Sequence, residues 1–233
     1  MNPYLATFLT FAIAIAFLRL MDFFAHRGWI ESKLSRKFIH IGTGPIFVLC
    51  WLLFPEVASA RYLAALVPLL ITVQFILVGT GVMKDDAAVQ AMTRNGNPKE
   101  ILRGPLFYGI MFVVLTILYW KDSPIGITAL MMMCGGDGIA DIVGRRVKSS
   151  KLFWSREKSL AGSLSVFTGG ALLTALIIFI YVSVGVFASP FSIYLVPIAW
   201  IALGGMLIES LPFKDVDNIT LTVLCALLGH LVF

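Results

Sequence analysis

Charged residues are scarce in this chain of 233 residues: Asp, Glu, Lys and Arg together make up 13%, whereas 59% of the residues are hydrophobic. This balance excludes an ordinary soluble domain, because such domains carry about a quarter charged residues. The mean hydropathy of +0.92 and the long apolar runs instead place the chain in a lipid bilayer. We therefore predict an all-α membrane bundle of seven to eight transmembrane helices, built as a single domain over residues 1–233.

The sequence also lacks the phosphate-binding motifs of soluble kinases. It contains no GxxxxGK[ST] P-loop, no kinase glycine-rich loop and no HRD triad. Cysteine is rare, and the spacing of Cys50, Cys134 and Cys225 does not suit a metal site, so we predict packing residues and no disulfide framework. The N-terminus shows neither a positive n-region nor a cleavage site. We therefore expect Met1–Leu18 to be a retained helix without a readable organelle address.

Apolar segments predict eight spans, although the second is short for a membrane helix. Gly185–Pro190 divides a long uncharged run into two of them, and Ser123–Gly136 spans only if its helix continues through Asp137 and Asp141. The predicted spans are Met1–Leu18, Ile41–Pro55, Tyr62–Met83, Gly104–Trp120, the segment from Ser123 through Asp141, the two parts of Leu160–Ile208, and Asn218–Phe233. Between them we predict an interfacial segment at Arg19–Lys37 and a polar loop at Lys84–Arg103.

The basic residues are distributed unevenly over these loops. With eight spans, the loops 19–40, 84–103, 145–160 and 209–218 lie on one side and hold 16 of the 18 Lys and Arg residues; only Arg61 and Lys121 fall opposite. The positive-inside rule then places these four loops on the cytoplasmic or stromal side, where nucleoside triphosphates occur. This distribution explains the net charge of +5 without nucleic acid as a partner. The sequence does not indicate an oligomeric state.

The stretch Gly135–Ser163 concentrates glycine, aspartate and basic residues between two apolar runs. Asp137 and Asp141 are four residues apart, so a helix presents both carboxylates on one face, about one turn apart. Carboxylate oxygens are ligands for Mg²⁺, and we predict that these two hold a magnesium ion that carries nucleotide phosphates. Gly135, Gly136 and Gly138 leave the backbone bare for the close approach of a phosphate. The alternative for the basic residues is a topology signal or a contact with lipid headgroups.

Further residues of this stretch fit phosphate binding. Arg145 and Arg146 can make forked contacts to phosphate oxygens, while Lys158 and Ser159 supply a point charge and a donor before the next helix. The small residues Ala161–Ser163 would open that helix, whose free amides favour an anion. The same residues are equally typical of a helix–helix contact, and both interpretations stay open.

Two other groups of polar residues lie in the loops of the same side. Glu209, Asp215, Asp217 and Asn218 form a second oxygen-rich cluster that can bind a metal ion or the nucleotide ribose, although a short loop can also simply be acidic. A second group lies at the start of the second span and consists of Arg36, Lys37 and His40, where His40 can position a phosphate or accept a proton. Arg103, just before the fourth span, can line the headgroup-side entrance. Interfacial anchoring and packing are the alternatives for this group.

Four motifs, in order, resemble those of the phytol kinase family of polyprenol kinases. They are SRKFIHIGTG at Ser35–Gly44, KEILRGPLFYG at Lys99–Gly109, GDGIADIVGRR with the following KLFW and KSLAGS, and IESLPFKDVDNIT at Ile208–Thr220. The resemblance implies a membrane kinase that uses CTP or UTP, with Mg²⁺, to phosphorylate a prenyl alcohol such as phytol. It assigns catalytic roles to Asp137, Asp141, Lys158 and His40, and it favours Glu209, Asp217 and Asn218 over Asp215. Phe153 and Val216 depart from the family pattern.

Two other functions remain as alternatives to a kinase. A cytidylyltransferase that makes a CDP-lipid would use similar metals and the same membrane placement, with a lipid phosphate as the acceptor. A cation or solute transporter would use Asp137 and Asp141 to bind the translocated ion. The lack of an inverted repeat and the collection of polar motifs on one face argue against the transporter.

Overall fold

The computed structural model describes residues 1–93, 95–212 and 216–233, and the chain forms two compact units, Met1–Ile117 and Leu118–Phe233. The described residues of both units are mainly helical, with two short strands as their sheet content, so the predicted all-α class is confirmed. Our expectation of a single domain stays a prediction, because compactness does not decide whether either unit folds alone.

The N-terminal unit contains long apolar helices joined by short turns. Its α-helices are α1 (Pro3–His26), α2 (Ser32–Cys50), α3 (Ala60–Gly79), α4 (Asp86–Met92) and α5 (Gly104–Leu118). Short 3₁₀ turns at Trp51–Leu53 and Pro98–Leu102 follow α2 and precede α5. The predicted polar loop Lys84–Arg103 contains a turn at Asn95–Pro98, where Gly96 has a φ of +72° and the Asn97 side chain accepts from the Lys99 amide at 3.0 Å.

The C-terminal unit contains the stretch singled out by its aspartates. Its elements are α6 (Pro124–Met131), a π-helical turn (Met132–Asp137), α7 (Gly138–Arg146), β1 (Lys151–Leu152), β2 (Ser155–Ser159), α8 (Leu160–Ser183), α9 (Ser192–Glu209) and α10 (Asp217–Val232). Helix α8 packs against α7, the π turn and α9, and α9 packs against α10. Fully buried apolar side chains from the π turn, α8, α9 and α10 fill the core between these elements.

Seven helical segments of the described chain are long and apolar enough to cross a membrane. One of them is the continuous helix Pro124–Arg146, which confirms that the helix of Ser123–Gly136 continues through the aspartates and thereby becomes long enough to cross. The break between α8 and α9 also falls at the predicted Gly185–Pro190. The eighth predicted span corresponds to α10, whose 16 residues are fewer than the roughly 20 that a typical membrane helix needs.

Two sequence-based boundaries were wrong. The segment Arg19–Lys37 is not a separate interfacial piece, because α1 continues to His26 and α2 already begins at Ser32. The chain has no helix breaker until Gly28, whose φ of +70° lies in the left-handed region and ends the helix. The second span is consequently longer than Ile41–Pro55: a 20-residue apolar segment runs from Leu34 to Leu53.

The loop 145–160 contains an element that hydropathy did not indicate. Strands β1 and β2 pair antiparallel in a short hairpin, with Lys151 opposite Ser159 and Leu152 opposite Ser155. This hairpin leads directly into α8. It therefore places its basic residues beside the first turn of that helix.

Candidate active site

Three carboxylates from different elements meet in the C-terminal unit. Asp137 closes the π turn, Glu209 is the last residue of α9, and Asp217 is the first residue of α10. One oxygen from each side chain lies within 4.8 Å of the other two. Glu209 is buried, while Asp137 and Asp217 are half-buried. The two acidic groups that the sequence suggested separately thus contribute to one carboxylate cluster, formed by Asp137, Glu209 and Asp217.

Close packing of the π turn against α8 positions Asp137. A Cβ added to Gly135 would lie 2.9 Å from the Gly169 carbonyl oxygen, and one added to Gly169 would lie 2.8 Å from that of Gly135. These two backbones therefore touch where no side chain fits. Gly136 packs in the same way against Val166, so the bare backbone at Gly135 and Gly136 is accounted for by helix packing. Phosphate binding by Gly136, or by the buried Gly138, stays a prediction.

Lys158 of β2 contributes a positive charge to the carboxylate cluster. Its Nζ donates to Glu209 Oε1 in an ion pair between a side chain that is 29% exposed and one that is 6% exposed. Burial by itself lowers the pKa of Lys158. The negative charges of Glu209, Asp137 and Asp217 outweigh burial and raise that pKa above 10.5. The ammonium therefore stays charged at neutral pH.

The hairpin is attached to α9 by a second contact. The indole Nε1 of Trp154 donates to the Ser210 carbonyl oxygen at 3.2 Å and to Ser210 Oγ at 3.1 Å. Glu209 and Ser210 are adjacent, so the hairpin contacts two consecutive residues at the end of α9. Neither Trp154 nor Ser210 was singled out from the sequence, because only the fold brings the hairpin to this helix end.

The hydroxyl of Ser159 caps helix α8. Its Oγ accepts from the Gly162 amide at 3.2 Å, and Ser149 Oγ accepts from the Ala161 amide at 3.0 Å. Gly162 in turn packs against Gly144 of α7, since a Cβ added to Gly162 would lie 3.4 Å from the Gly144 Cα. The contact between Gly162 and Gly144 thus agrees with a helix–helix contact at Ala161–Ser163. A phosphate contact by Ser159 stays a prediction.

Asp141 lies one turn beyond Asp137 and is not a member of the carboxylate cluster. Its Oδ1 accepts from Arg145 Nε at 2.8 Å, in an ion pair four residues apart along α7. Arg145 and Arg146 are exposed at the end of this helix. The predicted metal contact of Asp141 and the predicted phosphate contacts of the two arginines stay predictions.

Asn218, which follows Asp217, is buried in the first turn of α10. The remaining predicted member of the second acidic group, Asp215, lies outside the described residues. The nucleotide contact assigned to Asn218 therefore rests on its position beside the carboxylate cluster.

The other predicted site residues belong to the N-terminal unit. The His40 ring lies 4.5 Å from the Tyr108 ring, centroid to centroid, and the Tyr108 hydroxyl donates to the His40 carbonyl oxygen at 2.7 Å. Arg36 and Lys37 are half-buried one turn earlier on α2, and Arg103 is exposed before α5. Their positioning and catalytic roles stay predictions, and the ring of His40 packs against Tyr108.

The donor set of the carboxylate cluster fits a divalent cation. Mg²⁺ and Ca²⁺ bind oxygen ligands at about 2.0–2.6 Å, so ligand oxygens of one ion lie up to about 4–5 Å apart. The oxygens of Asp137, Glu209 and Asp217 meet this requirement. All three are hard carboxylate ligands, and the adjoining ammonium of Lys158 can contact an anion carried by the ion.

Curated relatives cover nearly the whole chain. It is 42% identical over 230 residues to the probable phytol kinase 1, chloroplastic, of Oryza sativa subsp. japonica, covering 98% of this chain and 73% of that protein. It is 36% identical over 222 residues to phytol kinase 1, chloroplastic, of Arabidopsis thaliana (94% and 73%), and 38% over 226 residues to the farnesol kinase, chloroplastic, of the same plant (96% and 73%). No family model matches the chain. No solved structure matches it either.

Proposed function

Because this chain belongs to the phytol kinase family, we propose that it is a membrane enzyme that transfers a phosphoryl group from a nucleoside triphosphate to a prenyl alcohol such as phytol. The structural observation that supports this activity is the meeting of Asp137, Glu209 and Asp217 beside the ammonium of Lys158. Phosphoryl transfer requires mainly positioning and electrostatic stabilisation of the phosphates, and this set of groups can provide both.

In the proposed reaction, the alcohol oxygen forms a bond to the γ-phosphorus of the donor. The bond between that phosphorus and the β–γ bridging oxygen breaks, and the nucleoside diphosphate leaves. A carboxylate of the cluster accepts the hydroxyl proton, which then passes to water. Lys158 contacts phosphate oxygens through Nζ and limits the mutual repulsion of the carboxylates.

Asp137, Glu209 and Asp217 would hold the Mg²⁺ ion that we propose as the cofactor. The bound ion supplies positive charge that stabilises the phosphate oxygens as the transferred group moves. The sequence spacing and the resemblance to the family add Asp141 to this ligand set, whereas in the structure its side chain forms an ion pair with Arg145. The substitution Asp141→Asn separates these two assignments.

We propose CTP or UTP as the donor, on the basis of the motifs that resemble the family. The nucleotide would lie along the cytoplasmic or stromal end of the C-terminal unit, where the exposed end of α7 and the hairpin carry basic residues. The proposed nucleotide contacts are Gly136, Gly138, Arg145, Arg146, Lys158, Ser159, Asp217 and Asn218.

We expect Arg145→Lys to raise the KM for the nucleotide by about tenfold, with an unchanged melting temperature. Lysine retains the charge but loses the planar guanidinium that makes forked contacts to phosphate oxygens. Steady-state kinetics with varied nucleotide measure this effect, and Arg146→Lys is tested in parallel. If both variants behave as the wild type, the two arginines are topology signals and our nucleotide assignment for them is wrong.

The charge asymmetry predicts the side on which these residues lie. Single cysteines at exposed positions such as Lys148 and Lys99 should react with an impermeant maleimide only from the cytoplasmic or stromal face. A cysteine at Asp122, beside Lys121, should react only from the opposite face. Labelling of all three positions from one face would contradict the eight-span topology.

The activity itself is tested with purified protein, Mg²⁺, phytol and CTP labelled in two separate preparations. Label in the γ-phosphate should appear in phytyl phosphate, whereas label in the cytidine should remain in CDP. Transfer of the cytidine label to a lipid phosphate would instead establish a cytidylyltransferase. Solute uptake into proteoliposomes without turnover of CTP would establish a transporter.

A further inference from the structure

An apolar groove of about 420 Å³ lies on the C-terminal unit, between the last turns of α9 and the helix α10. This volume falls within the range of about 300–1,000 Å³ that is usual for small-molecule pockets. The groove is open on one side, where Leu207 is 54% exposed. Its lining includes Trp154, Gly204, Leu207, Ser210, Leu224 and Leu228.

One end of the groove adjoins the carboxylate cluster. Ser210, which lines the groove, directly follows the buried Glu209, and Asp217 begins the helix that supplies Leu224 and Leu228. At 1.5 Å per residue, the distance along α10 from Asp217 to Leu228 is about 16 Å. Leu224 and Leu228 follow Asp217 by about two and three helical turns, so these residues share one face of α10, and the groove follows this face toward Asp217.

Particular residues shape the groove. On its floor, a Cβ added to Gly204 would lie 2.3 Å from Leu228 Cδ1, so the missing side chain lets α9 and α10 approach closely beneath the open side. Trp154 forms a wall at the end next to the carboxylate cluster. Its hydrogen bonds to Ser210 hold the indole in place, so this wall is a fixed part of the site.

We propose that this groove binds the hydrocarbon chain of the acceptor alcohol and directs its hydroxyl toward Asp137, Glu209 and Asp217. This inference rests on the proposed function and adds the location of the acceptor. A single groove with an apolar lining matches one hydrocarbon chain. The carboxylates at its end select among lipids, because they can accept a hydrogen bond from an alcohol hydroxyl, whereas the phosphodiester of a phospholipid headgroup has only acceptor oxygens.

The proposal is tested by filling the groove with a larger side chain. Leu207→Trp should raise the KM for phytol roughly tenfold or more and leave the KM for the nucleotide unchanged, because the larger indole takes space that the hydrocarbon chain needs and weakens only acceptor binding. Leu228→Trp is a second blocking variant on the other wall. It should affect a short prenyl alcohol less than phytol, because Leu228 lies about 16 Å along α10 from Asp217 and a short chain does not reach it.

Leu227→Trp provides the matched control on the same helix as Leu228. Leu227 is 58% exposed, its neighbour lines the groove, and the substitution adds the same bulk to the surface of α10. We expect wild-type kinetics and a wild-type melting temperature for this variant. If Leu207→Trp and Leu228→Trp both fold and match Leu227→Trp in their KM for phytol, the groove does not bind the acceptor.

A binding experiment separates this proposal from the activity. A phytol analogue with a diazirine on its chain should crosslink to peptides containing Leu207, Leu224 or Leu228, and unlabelled phytol should compete. Crosslinking elsewhere, or competition by phosphatidylglycerol but not by phytol, would overturn the proposal. If the wild type phosphorylates no prenyl alcohol, the proposed function fails, and the crosslink positions alone decide whether the groove binds prenyl chains.

Discussion

Replacement of Asp137 by asparagine is expected to reduce turnover about 10²–10³-fold. The substitution keeps the size of the side chain but removes one of the three charged oxygens in the carboxylate cluster. Charge stabilisation by a bound metal ion contributes several kcal/mol to such reactions. A loss of about 2.7–4 kcal/mol corresponds to this reduction in rate, since each 1.36 kcal/mol is a factor of ten.

The stability of Asp137→Asn should respond differently from its activity. Without added metal, its melting temperature should equal or slightly exceed that of the wild type, because one of three mutually repelling carboxylates has been neutralised. Added Mg²⁺ should raise the melting temperature of the wild type through preferential binding to the folded state, and this increase should be much smaller in the variant. Wild-type turnover in Asp137→Asn at saturating Mg²⁺ would contradict a catalytic Mg²⁺ site at the carboxylate cluster.

Asp141→Asn is the matched comparison on the same helix. If Asp141 acts only through its ion pair with Arg145, this variant should retain the wild-type dependence on Mg²⁺ and raise the KM for the nucleotide a few-fold, since an exposed ion pair contributes little. If Asp141 binds the metal, as the sequence predicts, the Mg²⁺ requirement should rise as strongly as it does in Asp137→Asn. The first outcome shifts the nucleotide titration, whereas the second shifts the Mg²⁺ titration.

The membrane helices were largely predictable because hydropathy depends on local composition. The break at Gly185–Pro190 and the continuation of the helix through Asp137 both follow from the lengths of apolar runs. The extent of α1 was not predictable from the same signal. Arg19 and Asp22 reduce the hydropathy of its last turns without breaking the helix, which ends only at Gly28.

The composition of the carboxylate cluster could be predicted only in part. The spacing of Asp137 and Asp141 shows that they share a face of one helix, but it contains no information about which residues other helices bring there. Tertiary packing adds Glu209 and Asp217 to Asp137, and a backbone contact between Gly135 and Gly169 determines where Asp137 lies. Glycines such as Gly135 can serve either close helix packing or phosphate binding, and the local sequence pattern does not distinguish the two roles.

Removal of the Lys158 ammonium is expected to affect stability and activity together. Lys158→Met keeps the length of the side chain but removes the ammonium group. The buried Glu209, beside Asp137 and Asp217, thereby loses the positive charge of Lys158. Breaking a buried ion pair by removing one partner costs about 3–5 kcal/mol. Because Lys158 is 29% exposed, we expect the lower end, about 3 kcal/mol, which corresponds to a decrease of roughly 6–12 °C in melting temperature for a chain of this size.

A second substitution separates the two effects of Lys158. In the double variant Lys158→Met/Glu209→Gln, the buried charge that lost its partner is neutral, so most of the melting temperature should return. Turnover should remain low, because neither the ammonium nor the third carboxylate is restored. Glu209→Gln alone supplies the remaining corner of the double-mutant cycle, and circular dichroism in detergent measures the unfolding of all four proteins.

The pH dependence and the Mg²⁺ dependence of unfolding test the same ion pair. The raised pKa of Lys158 means that its contribution to stability is fully present below pH 10.5 and is lost only as the pH rises through the higher pKa of the folded state. The difference in melting temperature between the wild type and Lys158→Met should therefore persist at pH 9. Mg²⁺ should stabilise Lys158→Met more than the wild type, because the added ion replaces the missing positive charge beside Glu209. Equal stabilisation of the two proteins by Mg²⁺ would show that the bound ion does not replace the charge of Lys158 beside Glu209.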